Sequence, residues 1–216
     1  MPVQEGEYCG FLTAIEAPGI LVVTFNRPES LNASTAAMKR DLVELLTQAQ
    51  MDDAIRIVVF TGQGQAFWAG DDLKGYSGDS VQVPQIHHGH HNPSGTYNGL
   101  RTISQAVNTA VRNLDKISIA AINGFAIQTG FSLALACDFR VAARSAKLGS
   151  ATLRFGLLPD EGGQWLLVQH LGVARAMDFM MRKRIVDGET AFELGLVHEV
   201  VSVSYTHLTL PTICSV

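Results

Sequence analysis

The sequence carries little charge, few cysteines and no long apolar run. Charged residues make up only 17% of the 216 positions, whereas 47% are hydrophobic. That balance excludes an intrinsically disordered chain, which would show the reverse. Sixteen basic residues against twenty acidic ones leave a formal charge of −4, so the footprint of a nucleic-acid binder is absent. The longest basic cluster, Arg182-Lys183-Arg184, reads as the solvated end of a helix. Cys9, Cys137 and Cys214 lie far apart, which fits neither a disulfide framework nor a zinc site. The N-terminal stretch MPVQEGEYCG lacks the charged and apolar regions of a secretory signal. No apolar run reaches the ~18 residues of a membrane span. The expected setting is cytoplasmic, or another reducing compartment.

What the chain does have is alternation. Apolar runs at 11–17 and 20–25, broken by Pro18-Gly19, read as a β-hairpin. Met38, Leu42, Leu45, Leu46 and Ala49 recur at helical spacing, with Lys39, Arg40, Asp41 and Glu44 between them. A buried strand is expected at 55–60 and a turn at Thr61-Gly62-Gln63-Gly64. The pattern fails over 75–96, which holds His87, His88, His90 and His91 and reads as a long mobile loop. A second amphipathic helix follows at 100–114, then a strand at 117–122, an apolar helix at 131–137 and a strand at 139–142. Helical patterns return at 164–171, 173–182 and 189–194. This order predicts an α/β fold with short crossovers, without an exact sequence repeat.

Three turn segments carry candidate chemistry. Ala66 to Leu73 (AFWAGDDL) places Gly70 where a sharp turn can aim backbone N–H groups at a ligand. Asn123 to Gly130 (NGFAIQTG) opens the apolar helix, whose first N–H groups need acceptors. Leu158 to Gly163 (LPDEGG) holds two adjacent acids; one of them walled by apolar residues would have the raised pKa of a base working near neutral pH. Taken alone, each is a weak signal that reads as readily as an ordinary capped loop.

Together and in order, they resemble the enoyl-CoA hydratase/isomerase (crotonase) family. The resemblance rests on TFNRPESLNA (24–33), IVVFTGQGQAFWAGDDLKG (57–75), ISIAAINGFAIQTGFSLALACDFRVAARSAKLG (117–149), FGLLPDEGGQWLL (155–167) and AFELGLVHEVV (191–201). It implies a spiral of ββα units over 1–188, interrupted by the 75–96 loop, and the start of a C-terminal helical region at 189–201. Residues 202–216 depart from the family, so that the C-terminal helical segment is expected to be largely missing and the tail disordered. The resemblance further implies an acyl-CoA thioester substrate, coenzyme A entering as part of it with no separate cofactor. Assembly into trimers or hexamers is implied if the C-terminal region were complete. No metal is implied, and the histidine run reads as solvated coil.

Carried over by motif, the backbone N–H groups of Asp71 and Thr129 are expected to form the oxyanion hole. Leu31, Ala33, Ala66, Ala69, Gly70, Asp72, Leu73 and Gly130 are expected around coenzyme A. An ionised Asp71 would oppose an enolate unless its side chain turned away to cap a following helix. The two glutamates that family hydratases use are replaced by Ser132, read as a space-filling residue, and Thr152. Glu161, with Asp160 as second choice, matches the acids of the isomerase branches. The expected activity is therefore double-bond migration in an enoyl-CoA; a hydratase or other crotonase reaction, and a non-catalytic acyl-CoA-binding paralogue, are the alternatives.

Overall fold

The computed structural model describes residues 3–16, 19–72, 93–150 and 152–202. Two sheets organise it. The larger has seven strands in the order β1 (Gly6–Tyr8), β2 (Phe11–Glu16), β3 (Ile20–Phe25), β4 (Ile57–Gly62), β6 (Ile117–Ile122), β8 (Phe139–Ala143) and β11 (Glu199–Val201). The first three strands are antiparallel and the rest run parallel. The smaller sheet has the order β10 (Ile185–Asp187), β9 (Lys147–Gly149), β7 (Phe125–Ile127) and β5 (Ala66–Trp68).

The chain therefore climbs in repeated steps. A strand of the large sheet is followed by a short strand of the small sheet and then a helix: β6, β7, α4 (Thr129–Ala136), then β8, β9, α5 (Gly163–Met181). This is the expected ββα spiral. The repeat lies in the path of the chain and is not evident in its residues. Strands β5, β7, β9 and β10 escape the sequence pattern because three residues are too few for period two to emerge.

The near-continuous apolar runs of β4 and β6 are explained by burial on both faces of a parallel sheet. One face joins the main core; the other packs Ile20, Val59, Ile119 and Ala121 together. Helix α1 (Ala36–Met51) starts where the Thr35 hydroxyl accepts from the Met38 amide, and buries Met38, Leu42, Leu45, Leu46 and Ala49 as the periodicity predicts. All eight residues of α4 are buried. Gly130 permits this, because a methyl there would lie 2.0 Å from the Trp68 carbonyl oxygen. The two helical patterns at 164–171 and 173–182 are the two arms of α5, separated at Gly172, whose φ of 72° and ψ of 165° are not helical.

Two expectations are corrected. Thr61 and Gly62 belong to β4, and the turn falls at 63–65. Helix α2 (Pro93–Gly99) begins inside the span read as loop, with Pro at its first position, where a missing N–H costs nothing. It continues through a π-helical turn at Leu100–Ser104 into α3 (Gln105–Arg112). Asp71 forms a parallel bridge to Ser34, and the helix start expected after Asp72 falls outside the described residues. Leu73, the four clustered histidines and residues 203–216 lie outside the described residues. A short helix α6 (Gly188–Glu193) precedes β11. No helix among the described residues is long and apolar enough to cross a membrane.

Candidate active site

The bends that follow β3 and β5 are stitched together by backbone and buried amides. Leu31 and Asn32 take left-handed conformations, φ 54° and 57°, which asparagine tolerates better than most residues. Asn32 is buried; its Nδ2 donates to the Ala66 carbonyl at 2.7 Å, and its Oδ1 accepts from the Arg27 amide at 2.8 Å. The Ala69 amide donates to the Leu31 carbonyl at 3.1 Å, and the Ser34 amide to the Gly70 carbonyl at 2.9 Å. Arg27 donates to the Ala33 carbonyl through Nη1 and pairs with Asp72 Oδ2 at 3.0 Å through Nη2. Thus Leu31, Ala33, Ala66, Ala69, Gly70 and Asp72, expected around coenzyme A, lie in one patch. The Ala66 carbonyl, occupied by Asn32 and at 3.3 Å by Asn123, serves the scaffold.

Asp71 and Thr129 also come together. The bridge to Ser34 uses the Gly70 carbonyl and the Asp72 amide, which leaves the Asp71 amide out of it. Thr129 opens the buried helix α4 after Gln128, whose φ of 52° turns the chain sharply from β7. Its amide lies in the first turn, where no intrahelical acceptor exists. The two side chains meet: Thr129 Oγ1 donates to Asp71 Oδ1 at 3.1 Å. The same oxygen accepts from Ser34 Oγ at 2.9 Å and pairs with Lys39 Nζ at 2.7 Å.

The helix that the Asp71 carboxylate was expected to cap falls outside the described residues; among them, its charge is matched by Lys39, whose side chain is 5% exposed against 20% for Asp71. Lys39 was counted among the polar residues between the apolar positions of α1. Its spacing told otherwise: 39, 42, 46 and 49 share one helical face.

Glu161 is 2% exposed. Its Oε1 accepts from Ser132 Oγ at 2.7 Å, so Ser132 does more than fill space. The signal was a hydroxyl amid the apolar residues that follow Gly130, FSLALA. Oε2 is buried, with no hydrogen-bond partner among the described residues. Burial pushes the carboxyl above its ordinary 4.5, Ser132 draws it back in part, and Asp160 and Asp71 add to the rise. The loop is clamped to α3: Asn108 Nδ2 donates to the Glu161 carbonyl at 2.9 Å and Gln105 Nε2 to that of Asp160 at 2.8 Å. Asp160 is only partly buried. Thr152, at the second absent hydratase acid, shares a hydrogen bond with Ser150 at 3.1 Å.

Among the described residues, no group of three or more His, Cys, Asp or Glu could hold a metal. Asp71 and Thr129 thus meet through their side chains in a charge-balanced setting, and Glu161 brings a buried carboxyl to the turn before α5. A carboxyl whose pKa is raised by burial is suited to taking a proton near neutral pH.

The chain is similar to known proteins over most of its length. The family model described as enoyl-CoA hydratase/isomerase matches residues 16–209. The chain is 37% identical over 195 residues to a 1,2-epoxyphenylacetyl-CoA isomerase of Escherichia coli, covering 88% of this chain and 70% of that one. It is 36% identical to a probable peroxisomal enoyl-CoA hydratase 1 of Arabidopsis thaliana, covering 86% of this chain and 64% of the relative. Among solved structures, an enoyl-CoA hydratase from Bacillus anthracis superposes with a TM-score of 0.84 at 31% identity, over 95% of this chain and 75% of that one. A monofunctional enoyl-CoA isomerase from M. smegmatis gives 0.75 at 31% identity, over 94% and 82%. The names divide between hydratase and isomerase, while the fold, the ordered motifs and the family model agree. The chain belongs to the enoyl-CoA hydratase/isomerase family.

Proposed function

We propose that this chain binds an acyl-CoA thioester and moves a double bond from the 3,4 to the 2,3 position, with Glu161 as the single base. The buried Glu161 carboxyl, anchored through one oxygen and free at the other, carries the reading. Oε2 takes a proton from C2 as the C2–H bond breaks. Charge spreads through the dienolate onto the thioester oxygen, where the Asp71 and Thr129 amides stabilise it. The same carboxyl then delivers its proton to C4, leaving the double bond between C2 and C3. One base at the two ends of a three-carbon unit is sufficient, and no water is consumed.

Hydration uses a second acid to handle water. Ser132 and Thr152 stand at the family's two acid positions; Ser132 reaches one carboxyl, Glu161, and Thr152 shares its hydrogen bond with Ser150, which leaves one acid where hydration takes two. The test supplies a 3-enoyl-CoA and follows the absorbance of the conjugated 2-enoyl-CoA, then supplies 2-enoyl-CoA and assays for 3-hydroxyacyl-CoA. Rapid conjugation with no more than trace hydration is expected. Hydration as the dominant reaction would overturn the reading, and tight binding without turnover would make the chain a non-catalytic acyl-CoA binder.

A second reading draws on the relative named 1,2-epoxyphenylacetyl-CoA isomerase and on Pro159-Asp160, which resembles the acid of that branch. Here the substrate is a ring-epoxide CoA ester and Asp160 handles the proton. Turnover of such an ester that survives Glu161→Gln but not Asp160→Asn would favour it.

A further inference from the structure

We propose that Ser132 is the positioning residue of the Glu161 base: its hydroxyl anchors Oε1 so that Oε2 faces the carbon that loses the proton. This rests on the reading of Glu161 as the base. Ser132 is buried in α4 and donates at 2.7 Å. It sits three residues after Thr129, so one helix carries both an oxyanion amide and the anchor of the base. That arrangement fixes the distance between the two halves of the reaction, because the first turn of α4 is packed against Trp68 through Gly130.

Two further observations support the assignment. Glu161 Oε2 is buried with no partner among the described residues, whereas buried carboxylate oxygens are ordinarily hydrogen-bonded. An anchored oxygen beside an unpartnered one is the arrangement a base needs when its free oxygen meets a C–H bond. The contact also requires Gly163: a methyl at that position would lie 2.3 Å from Ser132 Oγ and 3.4 Å from Glu161 Oε1. The opening residue of α5 thus leaves room for the pair.

A donor to an ionised carboxylate stabilises the ion, so Ser132 also sets the pH at which the base becomes active. Among the described residues, the charged groups that face Glu161 are Asp160 on its own loop and Asp71 beyond β5, the latter paired with Lys39 from α1. Helices α4 and α3 present Ser132 and Asn108 to this residue, neither of them charged.

The test is the pH profile of isomerisation in Ser132→Ala and Ser132→Cys, the second keeping the shape with a poorer donor. In Ser132→Ala, kcat at neutral pH is expected to fall roughly 10-fold or more, with KM changed far less. The acid limb of kcat/KM should move to higher pH, and part of the lost rate should return on the alkaline side. Ser132→Cys should shift in the same direction by less, and it decides the matter should the alanine variant not fold. An unmoved limb, with or without a loss of rate, would reduce Ser132 to a packing role and overturn the proposal. Glu161→Gln, run in parallel, separates the two ideas. If it stays fully active, the reading of the base falls. If it is inactive while Ser132→Ala matches the parent, only the positioning role falls.

Discussion

Replacing Glu161 by glutamine is expected to lower isomerase turnover by about 10²-fold or more, the usual contribution of a positioned base. Glutamine keeps the length of the side chain and can still accept from Ser132, so the pocket retains its shape. The change in stability should run the other way with pH. Burial raises the Glu161 carboxyl above 4.5, so the folded state keeps a proton that the unfolded chain has already released. Its stabilising share is complete below the unfolded value and is lost as pH rises through the folded one. Glutamine does not titrate. The melting temperature of the variant should therefore improve relative to the parent as pH is raised from below 4.5 toward neutrality. Thermal melts across that range check the sign; a gap that does not move with pH would mean that Glu161 is not held as a costly buried charge.

Lys39→Met is expected to produce the second large effect. The substitution preserves an apolar stem on the buried face of α1 but leaves the Asp71 carboxylate, among the described residues, with the hydroxyl donors Ser34 and Thr129. Breaking a buried ion pair from one side costs about 3–5 kcal/mol; Asp71 is 20% exposed, which places this pair at the lower end. In a chain of this size that corresponds to roughly 6–12 °C in melting temperature. Turnover should fall too, by about 10-fold or more, because an uncompensated anion then sits beside the oxygen that must become negative. Adding Asp71→Asn to Lys39→Met should restore most of both losses, since asparagine can still accept from Ser34 and Thr129 and keeps its backbone amide. A double variant as impaired as the single one would show that charge balance is not what Lys39 supplies.

The frame of the fold was legible because its pattern is carried by long elements. The apolar strands β3, β4 and β6 and the periodic face of α1 declare themselves over six or more residues. The short strands of the second sheet do not, since their pairing is imposed by the spiral. The candidate site was legible through its turns: Asp71, Thr129 and Glu161 are each marked by an adjacent glycine, and the roles proposed for them come from the resemblance. Its supports were harder to see. Lys39 looks like any surface lysine until the 39, 42, 46, 49 spacing is weighed. Ser132 looks like filler until α5 brings Glu161 against it. Asn108 and Gln105 hold the 160–161 loop from across 53 and 55 residues, a relation no local pattern encodes.

The central claim is that one buried carboxyl on the 158–163 turn is the base, and the pH dependence of kcat/KM for 3-enoyl-CoA isomerisation tests it most directly. That quantity reports the ionisation of the free protein, in which burial holds Glu161 above the ordinary 4.5. The expected profile rises with pH through a midpoint above 4.5 to an alkaline plateau, and the limb disappears in Glu161→Gln. A rate already at its plateau at pH 4.5, or a limb that persists unchanged in the glutamine variant, would contradict the assignment.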